Sequence, residues 1–229
     1  MASPIEELRY ERKFVIEGAS LPQIENVVRL NKGLFFQEFA PRKINNIYFD
    51  SPSRELYRQN VDGLSTRTKV RVRWYGETIG KVSKPVLELK RKHGLLGAKD
   101  SVPLQGFTLD QHFNAQAARD LLRSTDKTIP FRDELDCMEP AMINYYSRKY
   151  FRSADRKVRV TLDFNLGFVK FHHHWNEFLV NLRTPPFIVL EVKYPDEANH
   201  IAAQLASHMP FRMTKMSKYV FGLDRLLEC

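Results

Sequence analysis

The chain has 229 residues, 43% hydrophobic and 28% charged, with a formal net charge of +9 and a pI near 9.5. That composition suits a soluble globular protein with one sizeable core, and the excess of cations points to an acidic partner, whether nucleic acid, polyphosphate, nucleotide or anionic membrane. No apolar run approaches the ~20 residues of a membrane span. The start lacks the apolar core of a signal peptide, and Cys137 and Cys229 have neither metal-ligand nor redox spacing, so a reducing, cytoplasmic setting is expected.

The first predicted element is a strand, Leu8–Glu17. Side chains alternate across a strand, which groups Arg9, Glu11 and Lys13 on one face and Tyr10, Phe14 and Ile16 on the other, with Arg12 out of pattern. A helix follows: Ser20 and Gln23 have capping-box spacing, Pro22 falls in the first turn, and Ile24, Val27, Val28 and Leu30 form an apolar stripe ended by Asn31-Lys32-Gly33. Phe35–Pro41 and Lys43–Asp50 are predicted as two strands, with a turn at 60–63. The next strand, Lys69–Gly76, places Lys69, Arg71 and Arg73 opposite Val70, Val72 and Trp74. Across a loop at 77–85, Leu87–Lys92 places Glu88, Lys90 and Lys92 opposite Leu87 and Leu89.

His93–Asp100, with Gly94 and Gly97, is predicted as a loop, and Thr108–Ser124 as a helix capped by Thr108 and Gln111. An irregular stretch from 125 to 142, with room for short helices, precedes predicted strands at Ile143–Phe151, Val158–Leu166, Phe168–Phe171 and Phe187–Tyr194. An amphipathic helix, Asp196–Met209, and a terminal helix, Ser217–Leu227, complete the series. No repeat or linker interrupts it, so residues 1–229 are expected to form one domain.

The later strands repeat the alternation. Lys157, Arg159, Thr161 and Asp163 oppose Val158, Val160 and Leu162; Glu191 and Lys193 oppose Leu190 and Val192. With helices covering the apolar faces, the charged faces point toward one another, as inside a small barrel. Burying so many like charges demands an anionic ligand, counter-ions and water. The alternative is a sandwich with the charges turned to solvent.

Seven motifs in chain order, Glu11-Arg-Lys13, Lys69–Gly76, Glu88-Leu-Lys90, Tyr145-Tyr-Ser-Arg148, Arg159–Asp163, Leu190-Glu-Val-Lys193 and Lys215-Met-Ser-Lys218, resemble the catalytic domain of the vacuolar transporter chaperone (VTC) polyphosphate polymerases. These belong to the triphosphate tunnel metalloenzymes, with CYTH-type triphosphatases and class IV adenylate cyclases. The resemblance runs from about Leu8 to Leu227. It implies an α+β fold: a closed antiparallel β-barrel, or tunnel, with helices packed outside. It also implies a transferase that moves the terminal phosphate of ATP to a polyphosphate chain, with Mn²⁺ or Mg²⁺ as cofactor. By motif, Lys13, Arg71, Arg73, Lys90, Tyr146, Arg148, Arg159, Lys193, Lys215, Ser217 and Lys218 become phosphate ligands, and Glu191, with Glu11 and Asp163, the metal ligands. ATP and polyphosphate, or another triphosphate, are the implied partners, rather than nucleic acid; a membrane partner is left open.

The chemistry suits those residue types, because phosphoryl transfer depends on positioning and charge neutralisation, which arginine forks and lysine point charges supply. Arg9 departs from the tunnel hydrolases, whose first strand has two alternating glutamates before the lysine, and that favours the VTC branch. A triphosphatase of the same fold and a non-catalytic polyanion binder are the rival readings. Successive histidines, His172-His173-His174, place His172 and His174 on one face, but no further ligand is set by spacing, and a solvated hairpin end accounts for them. Cys137 is expected to be a small buried residue, and Trp74, Tyr75, Phe14 and Phe164 to pack the core.

Overall fold

The computed structural model describes residues 9–94, 96–125, 132–176, 178, 181–183 and 186–228. Among them, strands form at β1 (Arg9–Glu17), β2 (Phe36–Asp50), β3 (Thr66–Tyr75), β4 (Gly80–Val82), β5 (Val86–His93), β6 (Leu96–Pro103), β7 (Phe107–Leu109), β8 (Glu139–Arg152), β9 (Arg159–Lys170), β10 (Asn181–Arg183) and β11 (Phe187–Pro195). The α-helices are α1 (Leu21–Arg29), α2 (Glu55–Val61), α3 (Ala115–Arg123), α4 (Arg132–Asp136), α5 (Asn199–Ser207) and α6 (Lys218–Leu227). Nine strands make one antiparallel sheet in the order β1-β11-β9-β8-β2-β3-β5-β6, with β10 on β9; β4 and β7 pair separately.

The alternation of each strand sorts its residues as the sequence pattern requires. On one side, Val70, Val72, Trp74, Leu87 and Leu89 pack with Ala118, Leu121 and Leu122 of α3 and Leu135 of α4. Further along the same side, Phe14, Ile16, Val160, Leu162, Leu190 and Val192 pack with Ile24 and Val28 of α1 and Ala202 and Leu205 of α5. The opposite, charged face is therefore the inner one, and the sandwich with outward charges is excluded. Arg12 breaks the pattern because its Nε donates to the Tyr194 hydroxyl at 2.9 Å on the outer side.

The sheet is not the closed barrel expected. Among the described residues β1 and β6 share no ladder. The free edge of β1 is occupied instead: the Thr214 amide donates to the Lys13 carbonyl at 2.8 Å, and the Val15 amide to Thr214 Oγ1 at 3.0 Å. The sheet still curls far enough for Lys90 of β5 to reach Glu11 of β1 at 3.3 Å.

Other elements also depart from expectation. The two strands predicted at 35–50 are one, β2, because Pro41, which cannot donate to a ladder, falls in a register shift between Phe39 and Arg42. β9 likewise joins two predicted strands. The predicted loop at 93–100 contains most of β6, which pairs with β5 along its whole length. Thr108 is not a helix cap: it lies in β7, paired with Lys81, and the true cap of α3 is Asn114, whose side chain accepts from the Ala117 amide at 3.0 Å. The first helix does carry its capping box, and Ser217 caps the last by accepting from the Val220 amide.

Helix α6 lies on the charged side of the sheet. Its Tyr219, Leu223 and Leu226 bury against Tyr48, Met142, Phe168 and Val189, filling one end of the concave face. Tyr219 stacks on Tyr48 at 5.1 Å between ring centroids and donates its hydroxyl hydrogen to Asp50. Gly222 permits the close approach: a Cβ there would overlap the Phe168 ring and lie 3.0 Å from Met142 Cε.

Candidate phosphate-binding site

Two clusters line the remainder of the concave face. In the first, β3 and β5 pair so that Arg71 stands opposite Glu88. Arg71 Nε donates to Glu88 Oε2 at 2.8 Å and its Nη2 lies 2.6 Å from the same oxygen; Arg73 Nη1 is 3.5 Å from Oε1. Arg73 is fixed further by Nε donating to Asn46 Oδ1 at 3.0 Å and Nη2 to the Tyr146 hydroxyl at 3.3 Å. Burial pushes the Glu88 carboxyl up, but Arg71 and Arg73 outweigh it and hold it down at about 2. Glu88 is thus an internal counter-ion that fixes the direction of both guanidinium groups.

The second cluster joins β1, β11, β9, β8 and α6. Glu191 is surrounded by Lys193 at 3.0 Å, Arg148 at 3.3 Å, Lys13 at 3.4 Å and Lys218 at 3.6 Å. Glu11 lies 3.3 Å from both Lys90 and Lys193 and 3.6 Å from Lys13. Asp163 takes Arg148 Nε and Nη2 at 2.5 and 2.6 Å and Lys218 at 2.5 Å. Burial opposes ionisation of all three carboxyls, and the surrounding cations overcome it, so each is held below the usual carboxylate range. The Tyr146 ring lies under two of those cations, 5.3 Å from the Arg148 guanidinium and 4.8 Å from Lys218 Nζ. Burial raises the Tyr146 phenol pKa, and the neighbouring Arg148 and Arg73 turn the net shift downward. Burial and the like charges of Lys193 and Lys13 bring Lys90 to about 8 against the pull of Glu11.

Nine of the residues expected to bind phosphate converge here: Lys13, Arg71, Arg73, Lys90, Tyr146, Arg148, Lys193, Ser217 and Lys218. Arg159 sits at the margin, opposite Lys193 in register and 3.4 Å from Glu38, while Lys215 is exposed and joins neither cluster. Lys69, which is not among the ligands the motifs imply, shares this face two residues from Arg71, and its Nζ donates to Ser217 Oγ at 2.8 Å. Thr161, opposite Glu191, has a buried hydroxyl with no hydrogen-bond partner among the described residues.

The three carboxylates differ as metal ligands. Asp163 is fully buried, with Arg148 on both its oxygens and Lys218 on one, and is the carboxylate most tightly engaged by cations. Glu11 and Glu191 face the same two lysines from neighbouring strands and stay ionised, with the unpartnered Thr161 hydroxyl beside them. Two hard oxygen donors suit a divalent cation whose shell is completed by phosphate and water, not an all-protein cage. Among the described residues no group of three His, Cys, Asp or Glu converges to make such a cage.

Features outside the lining also resolve. His172, His173 and His174 are all exposed, as expected for a solvated turn, whereas Cys137 is exposed rather than buried; Cys229 lies outside the described residues. Trp74 and Phe14 are core residues, but Tyr75 is 53% exposed. It joins Phe39 and Tyr150 around Arg42, whose guanidinium lies 5.0 to 5.6 Å from the three ring centroids. No helix of the described residues is long and apolar enough to cross a membrane.

The architecture has solved counterparts. A candidate adenylate cyclase from Bacillus halodurans aligns with a TM-score of 0.53 at 15% identity, covering 93% of this chain and 95% of that one. One from Vibrio parahaemolyticus gives 0.54 at 12%, covering 97% and 99%. A candidate adenylyl cyclase from Hippeastrum, described as having a dominant triphosphatase activity, gives 0.53 at 12%, covering 96% of each chain. At such identities the likeness establishes the fold. No curated protein matches the sequence. The VTC domain family, however, matches residues 8–227, spanning every strand and helix that carries the two clusters, and the chain belongs to that family.

Proposed function

We propose that residues 1–229 act as one domain, an ATP-dependent polyphosphate polymerase-like enzyme that transfers the terminal phosphate of ATP to a polyphosphate chain. The observation that carries this reading is the placement of α6: the cationic lining ends against a helix that fills one end of the concave face. That arrangement favours transfer between phosphates over hydrolysis, because it narrows the access of water to the phosphate being moved.

In this reading Arg71 and Arg73 grip phosphate oxygens with forks already aimed by Glu88, Asn46 and Tyr146. Lys13, Lys90, Lys193 and Lys218 add point charges, and Arg148 is held in place by Asp163. A terminal oxygen of the acceptor chain forms a bond to the γ-phosphorus as the β–γ bridge breaks, and ADP leaves with the bonding electrons. No protein nucleophile or base is required, and the preorganised cations stabilise the spreading negative charge. Glu11 and Glu191 would hold Mn²⁺ or Mg²⁺, which would supply Lewis-acid charge neutralisation.

Incubating the protein with ATP and either metal, and resolving ADP, free phosphate and polyphosphate, tests the proposal. Lengthening chains with ADP support it; free phosphate without chains overturns it in favour of a triphosphatase. That second reading draws on the activity described for the Hippeastrum structural neighbour. Absence of turnover with either metal leaves a polyanion-binding module as the better account.

A further inference from the structure

The cations of the lining divide into two kinds. Arg71, Arg73, Lys13, Lys90, Lys193 and Lys218 each have a carboxylate oxygen within 3.6 Å. Moving along β3 and β5, the next cations differ. Lys69 stands opposite Lys90, and Arg67 opposite Lys92, in consecutive rows on the lining face. Among the described residues, Arg67, Lys69 and Lys92 form no ion pair. Lys69 donates to the Ser217 hydroxyl and Arg67 Nη1 to the Leu64 carbonyl at 3.0 Å. Lys92 lies two residues from Lys90 on β5 and so shares its face of the sheet. Burial lowers the pKa of both Lys69 and Lys92, neighbouring cations add to it, and Glu11 offsets only part of the shift.

The position of these residues matters. Lys69 touches the cap of α6, the helix that fills the axial path. The boundary between β1 and β6, which share no ladder, is crossed by the Glu11–Lys90 pair at 3.3 Å, and the β1 edge there is occupied by Thr214. From Arg73 to Arg67 the strand covers six residues, about 20 Å of extended backbone, longer than three linked phosphate tetrahedra.

We propose that Lys69, Lys92 and Arg67 form a lateral track for the distal phosphates of a long polyphosphate chain, carrying it past α6 along β3 and β5 toward the strand ends at Arg67 and Lys92. This rests on the phosphate-binding reading of the lining and assigns a separate subsite for chain length. The ligand class is a linear polyanion longer than a triphosphate.

The test compares equilibrium binding of tripolyphosphate and long-chain polyphosphate to the wild type and to an Arg67→Ala/Lys92→Ala double variant. Both side chains are half-buried at the strand ends, and circular dichroism verifies the fold. Long-chain Kd is expected to weaken about tenfold, two partly exposed charge contacts, while tripolyphosphate Kd shifts less than about twofold. Unchanged long-chain binding, or equal loss for both ligands, overturns the track. A wild type that binds neither ligand overturns instead the reading of the lining on which the track depends.

Discussion

Glu88→Gln removes the charge that aims Arg71 and Arg73 while keeping the shape of the side chain. In the folded protein the Glu88 carboxyl is held at about 2 against a reference of 4.5. A difference of about 2.5 in pKa corresponds to about 3 kcal/mol of stability at neutral pH. The cost of leaving a buried charge unpaired, about 3–5 kcal/mol, gives the same order. Because the folded pKa is depressed, this stabilisation is complete above about pH 4.5 and is lost as pH falls toward 2; at pH 3 about 1.4 kcal/mol remains. For a chain of this size 3 kcal/mol lowers Tm by about 6–12 °C. Thermal melts of wild type and variant at pH 7 and pH 3 should therefore differ by that amount at pH 7 and by less than half of it at pH 3. Saturating tripolyphosphate should narrow the difference at pH 7 by supplying the two arginines with a new anion. A Tm difference that is absent, or that does not change with pH, would refute Glu88 as their counter-ion.

Other expectations follow from the same geometry. Arg73→Ala and Lys90→Ala should each abolish turnover while melting cooperatively, as checked by product analysis beside circular dichroism. Asp163→Asn removes the closest carboxylate from buried Arg148 and Lys218, leaving them Glu191 alone, and should cost about 3 kcal/mol in denaturant unfolding. Gly222→Val drives a side chain into Phe168 and should displace α6, raising the ratio of free phosphate to chain product. Glu191→Gln should depress metal-dependent turnover more than polyphosphate affinity; equal losses in the two assays would argue against its role in holding a metal.

The lining is legible in the sequence because a period of two survives wherever one strand face is buried against helices. Lys69, Arg71 and Arg73 opposite Val70, Val72 and Trp74 is such a signal, and the face carrying Arg159, Thr161 and Asp163 is another. What the spacing does not convey is which carboxylate answers which cation. Asp163 and Glu191 share the same alternation, yet only the folded structure shows Asp163 forked by Arg148 and Glu191 ringed by four cations. Glu88 is similar: its position across from Arg71 depends on the β3–β5 register, which a loop of uncertain length conceals. β6 is missed because Gly94 and Gly97 signal a loop while pairing along β5 overrides that local preference. The cap of α3 is misplaced because Thr108 and Gln111 imitate a capping box although the Thr108 backbone belongs to β7, paired with β4. Closure of the sheet depends on what occupies the edge of β1, and that edge belongs to residues 213–214, almost two hundred positions away.

The central claim is that the charged strand faces form an inner lining that grips a phosphate chain. Isothermal titration of tripolyphosphate into wild type and into an Arg71→Ala/Arg73→Ala double variant tests it most directly. One tripolyphosphate per chain, lost or strongly weakened in a variant that remains folded, is the predicted result. Equal binding by the two proteins, or none by the wild type, would contradict it.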